Sequence, residues 1–473
     1  MAHIDPRTLL LASVCALTGC TCGEPPPMAD AGADAVSPTD AFLSPDAFAA
    51  DDAPSRDDAR SDGGTDAAAD AGTTWLACEG RPLHAGALPC VDVACGVLET
   101  LEIDPPHSRN DRPDVALDAE AHALVSYTIA EGGYHAYLAR RSGDSFVSAR
   151  AGTAAVLAIA TGTDGCGYAF LNDGAFGSGL YRIEGDAFVS TFVRGERMVA
   201  GGRLLLAPDG TLHTIGYDES SYDGFRARFD GSYVETSIDD TEGSFVGPGA
   251  IALRPDGSPQ TAYFAGTAEG SVLMTQVGEE APIRVGVLDV GTGSAPGSTA
   301  IAVGGDGRAH VLYETTTGSV GLASSGDPWT SRTLFASEPA PECPPPEVEG
   351  ASCTTRDVRW AGLGLVAAVD GDALGVVSRN QSDVVSKVVC GGGIGIDPPP
   401  GPPPLCHYEE QSRTSASALH AVSIRAGTVT TEVITTEGGG RVGTIRLGPD
   451  GTLHVVTYDL TTAVRYTAVA PLD

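Results

Sequence analysis

The feature that most constrains this chain is a repeated pair of short β-strands joined by an Asp-Gly turn. Each copy has an apolar strand, the turn, and a second strand that carries polar and aromatic residues. The copies read VALDAEAHALVSY (115–127), LLLAPDGTLHTIGY (204–217), IALRPDGSPQTAYF (251–264), IAVGGDGRAHVLY (301–313) and IRLGPDGTLHVVTY (445–458), with a degenerate LAIATGTDGCGYAF at 157–170. A fixed period of this length indicates one supersecondary unit used repeatedly.

The turn aspartates set the period. Asp118, Asp164, Asp209, Asp256 and Asp306 follow one another at intervals of 46, 45, 47 and 50 residues. A period near 45 with four strands per unit is typical of a β-propeller. Because no convincing amphipathic helix interrupts the pattern, we predict an all-β fold of four-stranded blades. Seven blades are predicted. Eight would require 393–397 and 405–411 to be strands and 365–389 to hold three.

The two ends of the repeat region predict how the ring closes. The last unit has only three strands, TIRL, LHVVTY and AVRYTAV, whereas VLETLEI (97–103) stands alone before the first full unit. We therefore predict that this N-terminal strand becomes the outermost strand of the last blade. Such closure leaves no open sheet edge.

The N-terminus predicts export. Leu9 to Leu17 are mostly apolar, too few to span a bilayer, and they end in Leu17-Thr18-Gly19-Cys20. This motif resembles the lipobox of bacterial lipoproteins, which implies removal of residues 1–19 as a signal peptide and lipidation of Cys20. Three acyl chains would anchor the protein stably. Because Thr21 stands where that family's inner-membrane retention signal is Asp, the resemblance implies the outer membrane or cell surface.

Residues 20–74 predict a disordered, acidic tether. They are rich in Ala, Asp and Pro, and they hold 12 acidic residues against Arg56 and Arg60. Such a composition buries too little apolar surface to offset the entropy of ordering. Residues 75–96 are a cysteine-containing lead-in, and 97–473 form the propeller.

The charge of the whole chain excludes one class of partner. Acidic residues outnumber basic ones 62 to 28, which gives a net charge of −34. Such a surface repels phosphate, so we expect no nucleic acid as a partner. We expect a monomeric propeller whose membrane contact is the lipid on Cys20, with a protein or glycan as the ligand.

The cysteines predict an oxidising compartment. Of the 11 cysteines, Cys343 and Cys353 bracket one Pro-rich loop, while Cys390 and Cys406 bracket another. Local disulfides of this kind stabilise loops in exported proteins. Cys78, Cys90, Cys95 and Cys166 would make two further bridges in an order that the sequence leaves open. Cys20-x-Cys22 and Cys90-x₄-Cys95 lack a complementary Cys or His pair at zinc-site spacing, so no metal is predicted.

Four histidines follow a turn aspartate by four residues, and we interpret them as structural. The pairs are Asp118 and His122, Asp209 and His213, Asp306 and His310, and Asp450 and His454. An Asp that orients a His as a general base is a known catalytic device. Four copies at repeat positions instead favour a role in tying the turn to the following strand, and no catalytic residue is assigned.

The turns could also belong to two other kinds of site, a calcium site or a sialidase-like active site. The Asp-rich stretches 304–308 and 369–373 suggest calcium, but neither has the full set of oxygen ligands of a calcium loop, so no cofactor is predicted. Sialidases are similar in architecture, and their Asp-box turn occupies a related place. The stretch GGDGRAH lacks the Ser and Trp of that turn, and no arginine triad stands out.

The function predicted is non-catalytic binding of a ligand or protein, at a site the sequence does not identify. Its alternatives are an extracellular carbohydrate-active enzyme, either a sialidase-like glycosidase or a lyase, and a scaffold subunit of an envelope complex. In a four-stranded blade, the connections between second and third strands share one face with those between blades. The two disulfide-bracketed loops and 104–113 fall on that face, which we predict to be the ligand face.

Overall fold

The structure is a computed structural model that describes residues 82, 86–89 and 95–471. The breaks within the last range are 105–111, 131, 165, 174–176, 196–197, 219–220, 222, 239–248, 268–269, 290–296, 339–340, 347–349, 369, 391–405, 437–439 and 459–462. The predicted signal peptide, the tether, Cys20, Cys22 and most of the lead-in lie outside the described residues. Residues Gly72–Asp473 form one compact unit. The part described holds no helix of the length and apolarity that crossing a bilayer requires.

The described residues form 28 β-strands in seven antiparallel sheets of four, so the prediction of seven propeller blades is confirmed. Within blades one to six, the strands follow chain order from the ring centre outward. Blade one is β2 (Asp114–Leu117), β3 (Ala123–Ala130), β4 (Tyr134–Ser142) and β5 (Ser145–Gly152). Blade two is β6 (Ala154–Thr161), β7 (Gly167–Asp173), β8 (Gly177–Glu184) and β9 (Ala187–Gly195). Blade three is β10 (Val199–Leu206), β11 (Leu212–Asp218), β12 (Gly224–Phe229) and β13 (Tyr233–Ser237).

The remaining blades continue the same order. Blade four is β14 (Ala250–Leu253), β15 (Pro259–Thr267), β16 (Gly270–Val277) and β17 (Ile283–Asp289). Blade five is β18 (Thr299–Val303), β19 (Ala309–Glu314), β20 (Val320–Ser324) and β21 (Thr330–Phe335). Blade six is β22 (Ser352–Ala367), β23 (Ala373–Cys390), β24 (Cys406–Arg425) and β25 (Thr428–Thr435). Blade seven contains β26 (Arg441–Leu447), β27 (Leu453–Tyr458) and β28 (Val464–Pro471).

The fourth strand of blade seven comes from the start of the described chain. Strand β1 (Cys95–Asp104) pairs antiparallel with β28, and the register runs from Cys95 opposite Pro471 to Asp104 opposite Val464. The predicted closure by residues 97–103 is thus confirmed. It joins the first and last described strands in one sheet, so the ring is closed by hydrogen bonds within blade seven.

The strands of blade six are longer and fewer than an eight-bladed ring would require. The stretch 365–389, weighed as three strands, contains the end of β22 and most of the single 18-residue strand β23. Residues 406–411 extend β24, whereas 393–397 lie outside the described residues. The strands stay paired because each polar extension has a neighbour in register, from Ser352 opposite Lys387 to Cys390 opposite Cys406. The extra residues therefore lengthen one blade and do not add an eighth.

The hydrophobic core lies in layers between neighbouring blades. Tyr127, Tyr168, Tyr263 and Phe264 are at most 1% exposed. Polar side chains also join the blades, as where Asn172 of β7 bonds both the N–H and the C=O of Val199 on β10. A buried amide that mimics a peptide group in this way satisfies backbone groups at the strand start.

Candidate functional site

The two faces of the ring carry different features. We call the end of the ring with the first-to-second-strand turns the turn face, and the opposite end the loop face. On the turn face the aspartates act as turn-forming residues. Asp209 Oδ1 accepts the N–H of Thr211 at 2.9 Å, and equivalent bonds form at Asp164, Asp256, Asp306, Asp370 and Asp450. These are Asx turns, in which an aspartate side chain replaces a backbone acceptor. At Asp209, the bond from the Thr211 N–H lowers the carboxyl pKa.

The first turn departs from the predicted alignment. Asp118 donates its own N–H to His122 O, as Ala207 does to Thr211 O in blade three. Asp118 therefore stands two positions before the equivalent of Asp209, and Glu120 takes that place. Ala121 has the positive φ that glycine has in the other turns. His122 therefore corresponds to Thr211 and not to His213. The four-residue spacing from Asp to His is the same in both turns, but the two turns are aligned two residues apart.

The other three histidines have different partners. His310 Nδ1 lies 2.8 Å from Ser324 Oγ, and its Nε2 lies 3.3 Å from the carbonyl oxygen of Gly371 in the next blade. His454 Nδ1 lies 2.7 Å from Tyr466 Oη. Burial lowers the pKa of His213 and of His310, and it lowers the pKa of His454 to about 4. All three are neutral at pH 7. The contacts of His310 join strands and blades, and that of His454 joins β27 to β28.

The aspartates weighed as calcium ligands are hydrogen-bonded to the backbone. Asp306 accepts the N–H of Arg308, and Asp370 accepts that of Asp372. Asp118, Glu120 and His122 present ligand atoms within 4.8 Å of one another, on an exposed turn. Asp118 Oδ1 there already accepts the N–H groups of Glu120 and His122. The carboxylates of Asp118, Asp306 and Asp370 therefore stabilise the turns by accepting backbone hydrogen bonds.

Two predicted disulfides are confirmed and lie on the loop face. Cys343 pairs with Cys353, and Cys390 pairs with Cys406. Cys95 and Cys166 are also disulfide-bonded. Cys78 and Cys90 lie outside the described residues, so the connectivity among these four cysteines stays a prediction.

The loop face carries a three-stranded extension of blade six, which we call the arm: residues 352–360, 379–390 and 406–418. The outer strand β25 pairs only as far as Leu419, opposite Ser378. The 12 residues from Arg379 to Cys390 continue past it, a projection of roughly 40 Å at about 3.3 Å per residue. At the base of the arm Trp360 stacks on Phe335 with 4.0 Å between ring centroids. The arm is therefore a paired, largely polar projection.

At the ring centre, charged side chains from non-adjacent blades converge. We call Arg112, Arg203, Arg441, Arg446, Asp114 and Glu314 the axial cluster. Arg112 and Asp114 lie at the start of blade one, Arg203 in blade three, Glu314 in blade five, and Arg441 and Arg446 in blade seven. Arg203 experiences the charges of Arg112, Asp114 and Arg446. Residues of blades three and seven can approach one another only at the axis, so the cluster lines the central channel.

The local sequence positions these side chains. Strand β10 has a bulge between Ala200 and Arg203, where Gly201 adopts φ +61°. Gly202 packs closely against blade two, because a Cβ there would meet Leu157 and Phe170 at 3.0 Å. A bulge formed by glycines can redirect the side chain that follows, here Arg203. Arg441 and Tyr458, opposite one another at the ends of β26 and β27, place the cluster toward the loop face.

The carboxylates of the axial cluster are engaged. Asp114 Oδ1 accepts the N–H of Val115 at 3.0 Å, and its Oδ2 accepts that of Ile159 in blade two at 2.9 Å. Asp114 also lies 3.6 Å from Arg446 Nη2. Glu314 Oε2 accepts from the N–H and hydroxyl of Ser298 at 3.4 Å, and burial raises its pKa despite the nearby charge of Arg441.

Sequence reasoning missed this cluster. Arg203 lies one residue before the repeat segment that begins at Leu204, and Arg446 lies inside another segment. The available signal was a charged residue within or beside an apolar inner strand, together with the Gly-Gly before Arg203. Two arginines of later strands lie away from the axis: Arg140 is half-exposed and paired with Asp186, and Arg332 is exposed.

A second candidate region lies between blades three and four, away from the axis. It is a cleft of about 210 Å³ lined by His213, Arg226 and Glu279 among others. Burial lowers the pKa of Arg226, which the charge of Glu279 opposes. The cleft holds fewer converging charges than the axial cluster.

Comparison with known proteins finds similar solved structures but no family. No protein family model matches the chain, and no curated protein matches it. Among solved structures it is similar to the WD40 β-propeller domain of Doa1, with 10% identity over 80% of this chain and 97% of that one, and a TM-score of 0.41. A structural genomics protein from Lactobacillus plantarum is 14% identical over 68% of this chain and 84% of its own, at a TM-score of 0.37. A catalytically inactive virginiamycin B lyase from Staphylococcus aureus, solved with quinupristin, is 10% identical over 67% of this chain and 96% of its own, at 0.32. Likeness at these levels concerns the fold alone.

Proposed function

We propose that this protein is an extracytoplasmic lipoprotein, anchored through Cys20 in the outer membrane or cell surface, whose propeller binds a ligand or partner protein without catalysis. The four-residue motif ending at Cys20 supports the anchor. The disulfides Cys343–Cys353 and Cys390–Cys406 are consistent with an oxidising compartment.

The observation that carries the binding role is the asymmetry of the two faces. The arm, both of these disulfides and the loop-side end of the axial cluster share the loop face. The turn face consists of short Asx turns whose aspartates bond the backbone. Binding residues are commonly placed on loops that a rigid scaffold positions, so the ligand binds the loop face.

The enzyme alternative is favoured by one specific observation, the convergence of guanidinium and carboxylate groups at the axis. A glycosidase needs one carboxyl free to donate a proton and another free to attack or to activate water. Asp114 accepts two backbone N–H groups and lies beside Arg446, and Glu314 accepts from Ser298. Since both carboxylates are occupied, binding ranks above catalysis.

The scaffold alternative predicts a contiguous apolar surface of several hundred Å². The large apolar residues that are most exposed in the described part lie on the outermost strands of different blades. They are Leu98, Val147, Val189, Val234, Ile283 and Val433. Single exposed side chains spread in this way favour a ligand-binding role over a scaffold.

Two experiments test the proposal with the full chain. Labelling of cells with an alkyne fatty acid should mark the wild type but not Cys20→Ala, and only the wild type should sediment with membranes. Equal labelling of both forms contradicts the anchor.

For the binding role, an array of acidic and neutral glycans and a cross-linking search for proteins identify what binds. Hydrogen exchange then maps the site. Protection is expected at the start of β2 and the end of β27 and not at the turn 207–211. A footprint confined to the turn face refutes the proposed ligand face.

A further inference from the structure

Positive charge is in excess at the axis of the ring. The axial cluster holds four guanidinium groups and two carboxylates, in a chain whose overall net charge is −34. A charge removed from bulk water is costly unless it is paired. The chain therefore keeps an unbalanced cationic centre inside a strongly acidic protein, and this excess needs an explanation.

The hydrogen bonds of the arginines show which group lacks a partner. Arg112 Nε donates to the carbonyl oxygen of Gly443 at 2.8 Å, and its Nη2 donates to that of Leu363 at 3.4 Å. Arg446 Nη1 donates to the carbonyl oxygen of Ile445 at 3.0 Å, and its Nη2 faces Asp114. These two arginines join strands of blades one, six and seven.

Arg203 is different. Its Nη1 donates to the carbonyl oxygen of Gly202 at 3.1 Å. Its Nη2 is shielded from solvent and has no hydrogen-bond partner among the described residues. Burial and the charge of Arg112 lower the pKa of Arg203 to about 9, so the group stays cationic at neutral pH. A buried donor without a partner costs free energy, and Arg203 is the arginine of the axial cluster that has such a donor.

We propose that Arg203 is the receptor for an oxyanion, the carboxylate or phosphate group of a ligand that enters the channel from the loop face. This names the ligand chemistry of the proposed binding function and rests on it. The fork of N–H donors on a guanidinium matches both groups. Arg112 and Arg446 add attraction while they remain bound to the backbone, and the acidic surface outside the channel disfavours anions elsewhere.

The test is isothermal titration calorimetry of the full chain with acetate, citrate and inorganic phosphate as probes, in chloride-matched Tris buffer. Variants are Arg203→Met and, as the matched control, Arg332→Met on the exposed outer strand β21. We expect at least one probe to bind the wild type and the control equally, and to bind Arg203→Met about tenfold to 100-fold more weakly, the range for loss of a charge-assisted hydrogen bond. Citrate or acetate ahead of phosphate identifies a carboxylate ligand, and the reverse order identifies a phosphate.

Stability without probes separates this role from a structural one. Arg203→Met removes an unpaired charge, so it should melt at or above the wild-type temperature, whereas loss of a structural arginine would lower it. If the variant does not fold, hydrogen exchange of the wild type decides. The best probe should protect the backbone of β10 around Arg203 and leave that of β21 around Arg332 unchanged.

Equal probe affinity in all three forms, or no protection of Arg203, overturns the inference. A partner footprint on the loop face would then still uphold the proposed function. A different result is probe binding that depends on Arg203 while every partner binds the turn face. It would uphold the oxyanion site and refute the proposal that the loop face is the ligand face.

Discussion

Replacement of Asp114 by Asn tests whether the axial cluster holds the ring together. Asp114 is 3% exposed, and its two oxygens accept N–H groups from Val115 in its own blade and Ile159 in the next. An amide has one oxygen, so in Asp114→Asn one of these N–H groups faces an NH₂ group. The variant also removes the negative charge beside Arg446.

The expected cost follows from these contacts. A buried donor without a partner costs about 1–3 kcal/mol, and loss of the partly exposed ion pair adds up to about 1 kcal/mol. The sum is about 1–4 kcal/mol, or roughly 2–8 °C at about 2 °C per kcal/mol for a large domain. The control is Asp186→Asn, because Asp186 pairs with Arg140 and its side chain is 60% exposed. We expect the control to shift by about 1 °C or less.

The assay is thermal unfolding of the full chain, followed by circular dichroism at matched concentration and supported by urea midpoints. If Asp114→Asn melts with Asp186→Asn, the bond from Ile159 does not join blades one and two, and the axial cluster has no structural function. A loss confined to Asp114→Asn confirms that the carboxylate is committed to the fold, which is the reason given above for ranking binding ahead of catalysis.

Two further predictions concern the turn face. Gly371 has φ +89° and a Cβ there would collide with the carboxylate of Asp306, whereas Gly427 has φ +81° with open space around it. Gly371→Ala should therefore cost about 1–3 kcal/mol more than Gly427→Ala in urea unfolding, and equal losses would show that only backbone strain matters. His454 has a pKa of about 4 in the folded protein, below its ordinary value of 6.5, so the unfolded chain binds the extra proton between these values. Stability should fall by about 3 kcal/mol as the pH drops from 6.5 to 4, and His454→Gln should flatten that part of the urea-midpoint profile; an unchanged profile contradicts the assignment.

The repeat made the architecture predictable because it reports its own period. Each blade needs an apolar inner strand, a turn and an outer pair, and the aspartates mark the turns even where the strands vary. Closure was predictable as well, since one unpaired strand at 97–103 and one incomplete unit at the end complement each other. These inferences need only local pattern and the rule that sheet edges are covered.

Blade six was harder because polar residues continue its strands. The arm is paired along its length, yet much of its surface is exposed, so no apolar alternation marks it as a strand. The axial cluster was missed for another reason. Arg203 and Arg446 lie far apart in the chain, and only the ring brings them together. In blade one, spacing alone gave Asp118 and His122 a register that the backbone does not adopt.

The pairing of β1 with β28 has a mechanical consequence. Cys95 lies opposite Pro471 on the turn side, and Asp104 lies opposite Val464 on the loop side. Tension between the chain that precedes Cys95 and an object held on the loop face would run parallel to these strands. The hydrogen bonds between them would then share the load in shear, and would not open one after another as in a zipper. The ring would thus resist pulling best along the direction that joins its N-terminal extension to its loop face.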